Sequence, residues 1–126
     1  MAAAFYLGWI IAVVLVVVGV YAIFAPHPLA RGYGVPVDGH QGTAFVRATG
    51  IRDVAFGVAL GAAAYFHVLP LLIVLAVTGI AVSVFDLWVV WHHGDPHRRH
   101  TAHAIHASGI VAFILVLAMA LFAVGR

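Results

Sequence analysis

Four long apolar segments constrain what this chain can fold into. They cover residues 4–24, 44–66, 69–91 and 102–124, and each reaches the roughly 20 mostly apolar residues that a membrane-spanning helix needs. Only 8% of the 126 residues are charged, whereas soluble domains carry about 25%. Only helices and closed barrels can cross a bilayer, and four such segments cannot close a barrel. The sequence therefore predicts an all-α, four-helix transmembrane bundle.

Polar joints separate the apolar segments and leave room for a single domain, residues 1–126. The stretches "APHPLARGYGVPVDGHQG" and "HHGDPHRRH" predict two loops on one side of the membrane, and "HVLP" predicts a tight hairpin on the other. The first loop could also fold over a polar pocket as a lid. The first apolar run lacks a positively charged start and a cleavage site, so we expect a retained helix rather than a signal peptide.

Arginine is concentrated on the loop side of the predicted bundle. Arg31, Arg98 and Arg99 lie in or beside the loops and Arg47 lies just inside the second helix, whereas the opposite side has Arg126 alone. By the positive-inside rule, we expect the loops to face the cytoplasm and both termini to face outward.

Three ionisable residues inside the apolar segments lie at similar depths. At about 1.5 Å per residue from the predicted helix ends, Asp53 lies about 13 Å deep, Asp86 about 8 Å and His106 about 6 Å, all in the loop-side half. A charge in hydrocarbon costs about 2.5–3.5 kcal/mol, so such residues normally face a bundle interior or a watery cavity and carry a function. Asp53 shares a row with Gly57 and Gly61, and this small-residue row predicts that Asp53 points into the bundle.

Arg52 directly precedes Asp53 in the second apolar segment. Neighbouring side chains diverge by about 100° around a helix, so we expect each to find its partner on another helix. A salt bridge from Arg52 to one Asp that only fixes the packing is an alternative, but it leaves the other Asp and His106 without a purpose. The candidate catalytic residues are therefore Asp53, Asp86, His106 and Arg52. Nearby polar and aromatic side chains are candidate substrate contacts, namely Arg47, Thr49, Ser83, Trp88, His93 and His103.

Six of the nine histidines lie in the stretch "WHHGDPHRRHTAHAIH". His97, His100 and His103 recur at every third residue, which makes them weak candidates for metal ligands. The chain has no Glu and no Cys to complete such a site, although Asp86 and Asp95 could contribute. We interpret the stretch as an interfacial polar turn and expect no metal and no other cofactor.

Three pieces of the chain together resemble a known family. They are "FAPHPLARGYGVP", "GIRD" and "DLWVVWHHGD…AIHASG". They resemble a domain-of-unknown-function family of small four-helix membrane proteins with a Gly-Ile-Arg-Asp motif in the second helix, found widely in bacteria and in some fungi. The resemblance runs from about Gly19 to Gly109. The family pattern maps onto Pro26, Ala30, Gly34, Pro36, Gly50, Ile51, Arg52, Asp53, Asp86, His93, Gly94 and His106. It implies the four-helix architecture and a bacterial plasma membrane, but no activity.

The polar cluster favours acid–base chemistry on a lipophilic small molecule. Two neighbouring carboxylates resist being ionised together, so one can stay protonated as an acid while the other acts as a base. Arg52 could hold one carboxylate ionised or stabilise a developing oxyanion, and His106 could shuttle protons near neutral pH. We expect epoxide opening, cyclisation or isomerisation of a terpenoid, sterol or polyketide that enters from the bilayer. The enzyme would be a cofactor-independent isomerase, cyclase or hydrolase.

Two other functions fit the same residues. Intramembrane Asp and His also form proton relays, which would suit a proton-coupled transporter, although the half of the bundle away from the loops lacks a polar path. A non-catalytic membrane subunit would use the cluster only for assembly. The expected partners are a lipophilic substrate and membrane lipid, with a homo-oligomer left open. The net charge of +2 argues against nucleic acid.

Overall fold

The chain forms an all-α bundle. The computed structural model describes residues 2–34, 39–97 and 99–125. Within these ranges there are five α-helices and no strand: α1 (Ala2–Phe24), α2 (Pro26–Tyr33), α3 (Gly39–Tyr65), α4 (Leu69–His93) and α5 (Arg99–Val124). The predicted all-α class is confirmed, and four of these helices correspond to the four apolar segments. Pro36, Arg98 and Arg126, which the sequence arguments used, lie outside the described residues.

Three of the helices are long and apolar enough to cross a membrane, namely α1, α4 and α5. This composition is typical of a membrane protein. The longest helix, α3, is not among the three. It contains Arg52 and Asp53, whose charges lower its hydropathy. The count of four spans therefore stays a prediction.

The first predicted loop contains a short helix, α2, which the sequence pattern did not predict. Helix α2 carries Pro26 in its first turn, where a proline costs no hydrogen bond. It ends at Tyr33, and the next residue, Gly34, caps the helix. The φ of Gly34 is 84°, a left-handed conformation that favours glycine. The Gly34 carbonyl oxygen accepts a hydrogen bond of 2.8 Å from the Asp95 backbone N–H. This bond fastens the end of α2 to the turn between α4 and α5.

The bundle is built from two helix pairs. Helix α1 packs mainly against α3, and α4 packs mainly against α5, with fewer contacts between the pairs. Glycines bring α1 and α3 close together: a Cβ on Gly50 would lie 2.6 Å from the carbonyl oxygen of Gly19, and one on Gly57 would lie 2.9 Å from that of Ala12. Such a seam lets two helix backbones approach without side chains between them.

The end of the bundle away from the loops, here called the distal half, is packed with apolar side chains. Leu60, Leu72 and Val116 are fully buried there. Small residues fill the space around them, including Ala4, Ala63, Ala64, Ala76 and Ala120. The two helix pairs therefore meet tightly at this end.

The glycine seam predicts a specific stability effect. The change Gly50→Ala would place its Cβ 2.6 Å from the Gly19 carbonyl oxygen and 2.7 Å from the Ala22 Cβ. Overpacking of this kind costs about 1–3 kcal/mol, which exceeds the gain of up to about 1 kcal/mol that alanine gives in a helix. We expect a lower melting temperature in detergent micelles. The matched control is Gly61→Ala, whose Cβ would meet Ala12 at an ordinary 3.4 Å. Equal melting temperatures for the two variants would contradict the seam.

Candidate functional site

A cavity of about 530 Å³ lies between the two helix pairs, in the loop-side half of the bundle. Most of its lining is apolar. Phe56 and Phe113 meet at its distal end, with ring centroids 5.9 Å apart and an interplanar angle of 78°. The fully buried side chains of the distal half are not part of the lining. The cavity therefore does not extend to the fully buried side chains of the distal half.

Arg52 bridges two carboxylates at the wall of this cavity. Its Nη2 donates to Oδ1 of Asp53 at 3.1 Å and to Oδ2 of Asp86 at 3.2 Å, and its Nε also donates to Asp53 at 3.2 Å. Oδ1 of Asp53 and Oδ2 of Asp86 contact the same Nη2 nitrogen of Arg52, so the two carboxylates lie close together. The ion pairs link α3 to α4 and so connect the two helix pairs.

The local contact between Arg52 and Asp53 corrects one expectation. Each was predicted to find its partner on another helix, which is wrong for this pair and right for Arg52 with Asp86. The Cα–Cβ bonds of adjacent residues do diverge, but the long arginine side chain turns back far enough to reach both carboxylates. Arg52 is 44% exposed, whereas the Asp53 and Asp86 side chains are 20% and 16% exposed.

His106 brings a third helix into the site. It is 9% exposed on α5 and lines the cavity. It also lies within electrostatic range of the Asp53 carboxylate. Helices α3, α4 and α5 thus each contribute an ionisable side chain to one cavity.

Three hydroxyls complete the polar part of the lining, those of Thr49, Ser83 and Ser108. Thr49 donates to the Phe45 carbonyl oxygen at 3.1 Å, and Ser108 donates to the Ile105 carbonyl oxygen at 2.6 Å. Gly109 faces Ser83 from α5, where a Cβ would lie 3.1 Å from the serine Oγ. The missing side chain at Gly109 therefore leaves space beside this hydroxyl.

The small-residue row on α3 has a different role from the one predicted. Gly57 and Gly61 contact α1 at Ala12, whereas Asp53 lies at the edge of this seam and faces the cavity between the pairs. The row explains the close α1–α3 packing. The position of Asp53 follows instead from its pairing with Arg52 near α4.

Four predicted substrate contacts are not among the lining residues: Arg47, Trp88, His93 and His103. Trp88 is exposed and packs against His92 and His93. His103 stacks on Trp91, with ring centroids 5.2 Å apart. Trp88, His93 and His103 lie near the loop-side ends of α4 and α5, whereas Arg47 follows the lining residue Val46 on α3 and is exposed. The cavity lining gives no support to their assignment as substrate contacts.

The weak metal alternative gains no support from the geometry. Within residues 2–34, 39–97 and 99–125, no three His or Asp side chains converge in a group that could hold a metal ion. His97 and His100 are exposed, and His103 packs against Trp91. The regular spacing of these histidines does not bring their rings together.

Several lining residues were not predicted as part of a site. Phe56 lies one helical turn beyond Arg52, and Phe113 shares a face with His106 and Gly109, so helical spacing could have identified both. Leu29 of α2 also lines the cavity. It could not be identified while its segment was interpreted as a loop.

These features define the class of the protein: a small all-helical protein with three helices that could span a membrane and a mostly apolar cavity between two helix pairs. The chain belongs to the family described as Domain of unknown function (DUF4267), whose model matches residues 12–121. Searches of curated proteins and of solved structures find no match to the chain. The matched range includes all the ionisable residues of the cavity.

The ion pairs predict a stability effect at Arg52. The change Arg52→Gln leaves two nearby carboxylates without their counter-charge, so we expect a loss of about 1–2 kcal/mol of unfolding free energy. This is less than the roughly 3–5 kcal/mol of a fully buried pair, because the Arg52 side chain is only about half buried. Thermal unfolding in detergent micelles measures it.

Two further variants make this test specific. Arg47→Gln, an exposed arginine on the same helix, should change the melting temperature little. Adding Asp86→Asn to Arg52→Gln should recover part of the loss, because it removes the repulsion. An Arg52→Gln effect no larger than that of Arg47→Gln would contradict the bridging role.

Proposed function

We propose that α3 also crosses the membrane, which gives four spans. The support is its packing against α1, a helix that is apolar enough to span. Contacts run from Gly19 with Gly50 near the loop side to Gly8 with Ala64 near the distal end. A helix packed along the length of a spanning helix occupies the same depth, and pairing with two carboxylates reduces the cost of Arg52 there.

Cysteine labelling tests both the fourth span and the orientation, since the chain has no native cysteine. We propose loops in the cytoplasm and termini outside, following the arginine distribution. Ala2→Cys and Phe66→Cys should then react with an impermeant reagent in intact cells, and Gln41→Cys only after permeabilisation. Gln41 and Phe66 on the same side would contradict the crossing of α3. A fully reversed pattern would contradict the orientation.

We propose that the protein is an acid–base enzyme that acts on a lipophilic small molecule. The observation that carries this proposal is the Arg52 bridge, which holds two carboxylates side by side at the wall of a mostly apolar cavity. The reactions that suit this group are epoxide opening, cyclisation or double-bond isomerisation. Terpenoids, sterols and polyketides are the matching substrate classes.

The arrangement supports a simple division of roles. Arg52 engages one oxygen of each carboxylate, which leaves the second oxygen of each for a proton or a substrate. In epoxide opening, the protonated carboxyl would give its proton to the epoxide oxygen as the C–O bond breaks. The other carboxylate would take a proton from the attacking water. In double-bond isomerisation, one alkene carbon would gain a proton from the acid, and the carbon two positions away would lose one to the base. His106 would restore the starting protonation states.

The rim of the cavity supports entry from the bilayer. Ile10 and Val14 of α1, Phe45 of α3 and Ile105 of α5 line the cavity, and all four are also exposed on the outer surface of the bundle. In a membrane these side chains contact lipid. A lipophilic molecule could therefore reach the carboxylates without leaving the hydrocarbon.

The closed distal half favours catalysis over transport. A transporter needs a path from the polar site to the other side, but Leu60, Leu72 and Val116 are fully buried below the cavity. A structural role is the second candidate, because Arg52 also joins α3 to α4 through its ion pairs. The enzyme and the structural role predict different effects on folding and turnover when one carboxylate is removed.

Asparagine variants separate these two functions. Asp53→Asn and Asp86→Asn keep the side-chain shape and remove the acid or base, so an enzyme should fold normally yet lose at least about a hundredfold in turnover. Purified protein in lipid nanodiscs would be incubated with limonene epoxide and farnesyl epoxide, and mass spectrometry would follow added water or new isomers. Asp95→Asn, outside the cavity in the α4–α5 turn, is the matched control.

Each outcome decides between the candidates. Normal folding of all three variants with turnover lost only in the two cavity variants supports the enzyme. Unfolding of Asp53→Asn and Asp86→Asn, with the native chain inactive on the probes, supports the structural role. Equal turnover in all three variants would contradict catalysis by these carboxylates.

A further inference from the structure

Histidine is distributed very unevenly between the two ends of the bundle. Eight of the nine lie in the loop-side half, and only His67 lies in the turn at the distal end. Six of the eight are exposed and together form what we call the histidine surface: His27, His40, His92, His93, His97 and His100. The proposed chemistry uses only His106, so these six side chains have no role in it.

We infer that the histidine surface binds the phosphate headgroups of anionic lipids, and that acidification strengthens this binding. The proposal is independent of catalysis in the cavity. It rests on the exposure of the six imidazoles, on the charges around them and on their level relative to the membrane.

The position of the histidine surface at the headgroup region of the membrane indicates that its partner is lipid. The six histidines lie just beyond or at the loop-side ends of apolar helices. Tyr21, Trp88 and Trp91 are exposed at the same end, and aromatic side chains of this kind mark the headgroup region. Cationic residues at that level attract anionic lipid.

The surrounding charges favour an anion. Arg31 on α2 and Arg47 on α3 are exposed on the same side. The acidic residue described there is Asp95, whose Oδ1 accepts a hydrogen bond of 2.9 Å from the His97 backbone N–H. The arginines provide a constant attraction, and protonated imidazoles would add to it, since histidine changes charge between about pH 5 and 8.

His92 shows how protonation would change the hydrogen bonding. Its Nδ1 lies 2.9 Å from the Trp88 carbonyl oxygen, and a carbonyl only accepts, so Nδ1 carries a hydrogen. The neutral ring then offers only a lone pair at Nε2 and cannot donate to a phosphate. Protonation adds the missing N–H.

A binding measurement on the full chain in detergent micelles tests this inference. Dioctanoyl phosphatidylglycerol and dioctanoyl phosphatidylcholine would be titrated at pH 5.5 and 7.5, with binding followed by native mass spectrometry. We expect a preference for phosphatidylglycerol that grows at the lower pH, by roughly fivefold for each imidazole that gains a charge at the site. Equal binding of the two lipids at pH 5.5 would overturn the proposal.

Variants locate the effect on the chain. Replacing His92, His93, His97 and His100 together by Gln should strongly weaken the pH dependence, whereas His67→Gln, at the distal end, should keep it. His92→Lys should bind phosphatidylglycerol more tightly than the native chain at pH 7.5, because its charge is permanent. Unchanged pH dependence in the fourfold variant would overturn the inference. Displacement of the lipid by an equal concentration of inorganic phosphate would also overturn the inference, because that result would indicate a site for a soluble anion.

Discussion

The contact of Arg52 with two carboxylates is the interaction on which the rest of the site depends. Three charged groups in an apolar bundle are each costly alone, and together they offset most of that cost. Because Asp53 and Asp86 share one arginine nitrogen, α3 and α4 must lie at matching depth, and the polar end of the cavity is fixed between the helix pairs. The bridge thus connects the packing of the bundle to its chemistry.

The two halves of the bundle use different kinds of residue. Toward the distal end, small side chains and the buried Leu60, Leu72 and Val116 let the helix pairs meet closely. Toward the loops the pairs separate around the cavity, and α2 covers part of this end through Leu29 and the Gly34–Asp95 hydrogen bond. A closed half beside an open half gives a cavity that lipid can reach but that does not continue across the bundle.

Much of this arrangement could be predicted from the sequence, because hydrophobic length and helical spacing are strong signals in membrane proteins. They identified the four long helices to within a few residues and selected the four ionisable side chains that line the cavity. Helix α2 could not be predicted, since its Pro/Gly-rich composition is typical of a loop and a tertiary contact at Gly34 secures its end. The Arg52–Asp53 contact was also missed, because it depends on side-chain torsions rather than on helix phase. Trp88 and His93, which were predicted to contact the substrate, do not line the cavity, because the last turns of α4 extend beyond it.

The distance between Arg52 and the two carboxylates, measured in lipid bilayers, tests the account most directly. Solid-state NMR on protein with isotope-labelled arginine and aspartate can detect a guanidinium nitrogen close to each carboxyl carbon. We expect strong couplings from Arg52 to both Asp53 and Asp86, with the second absent in the Asp86→Asn variant. A coupling to Asp53 alone would contradict the account, because the charge would then be neutralised within α3 and nothing would bring Asp86 to the site.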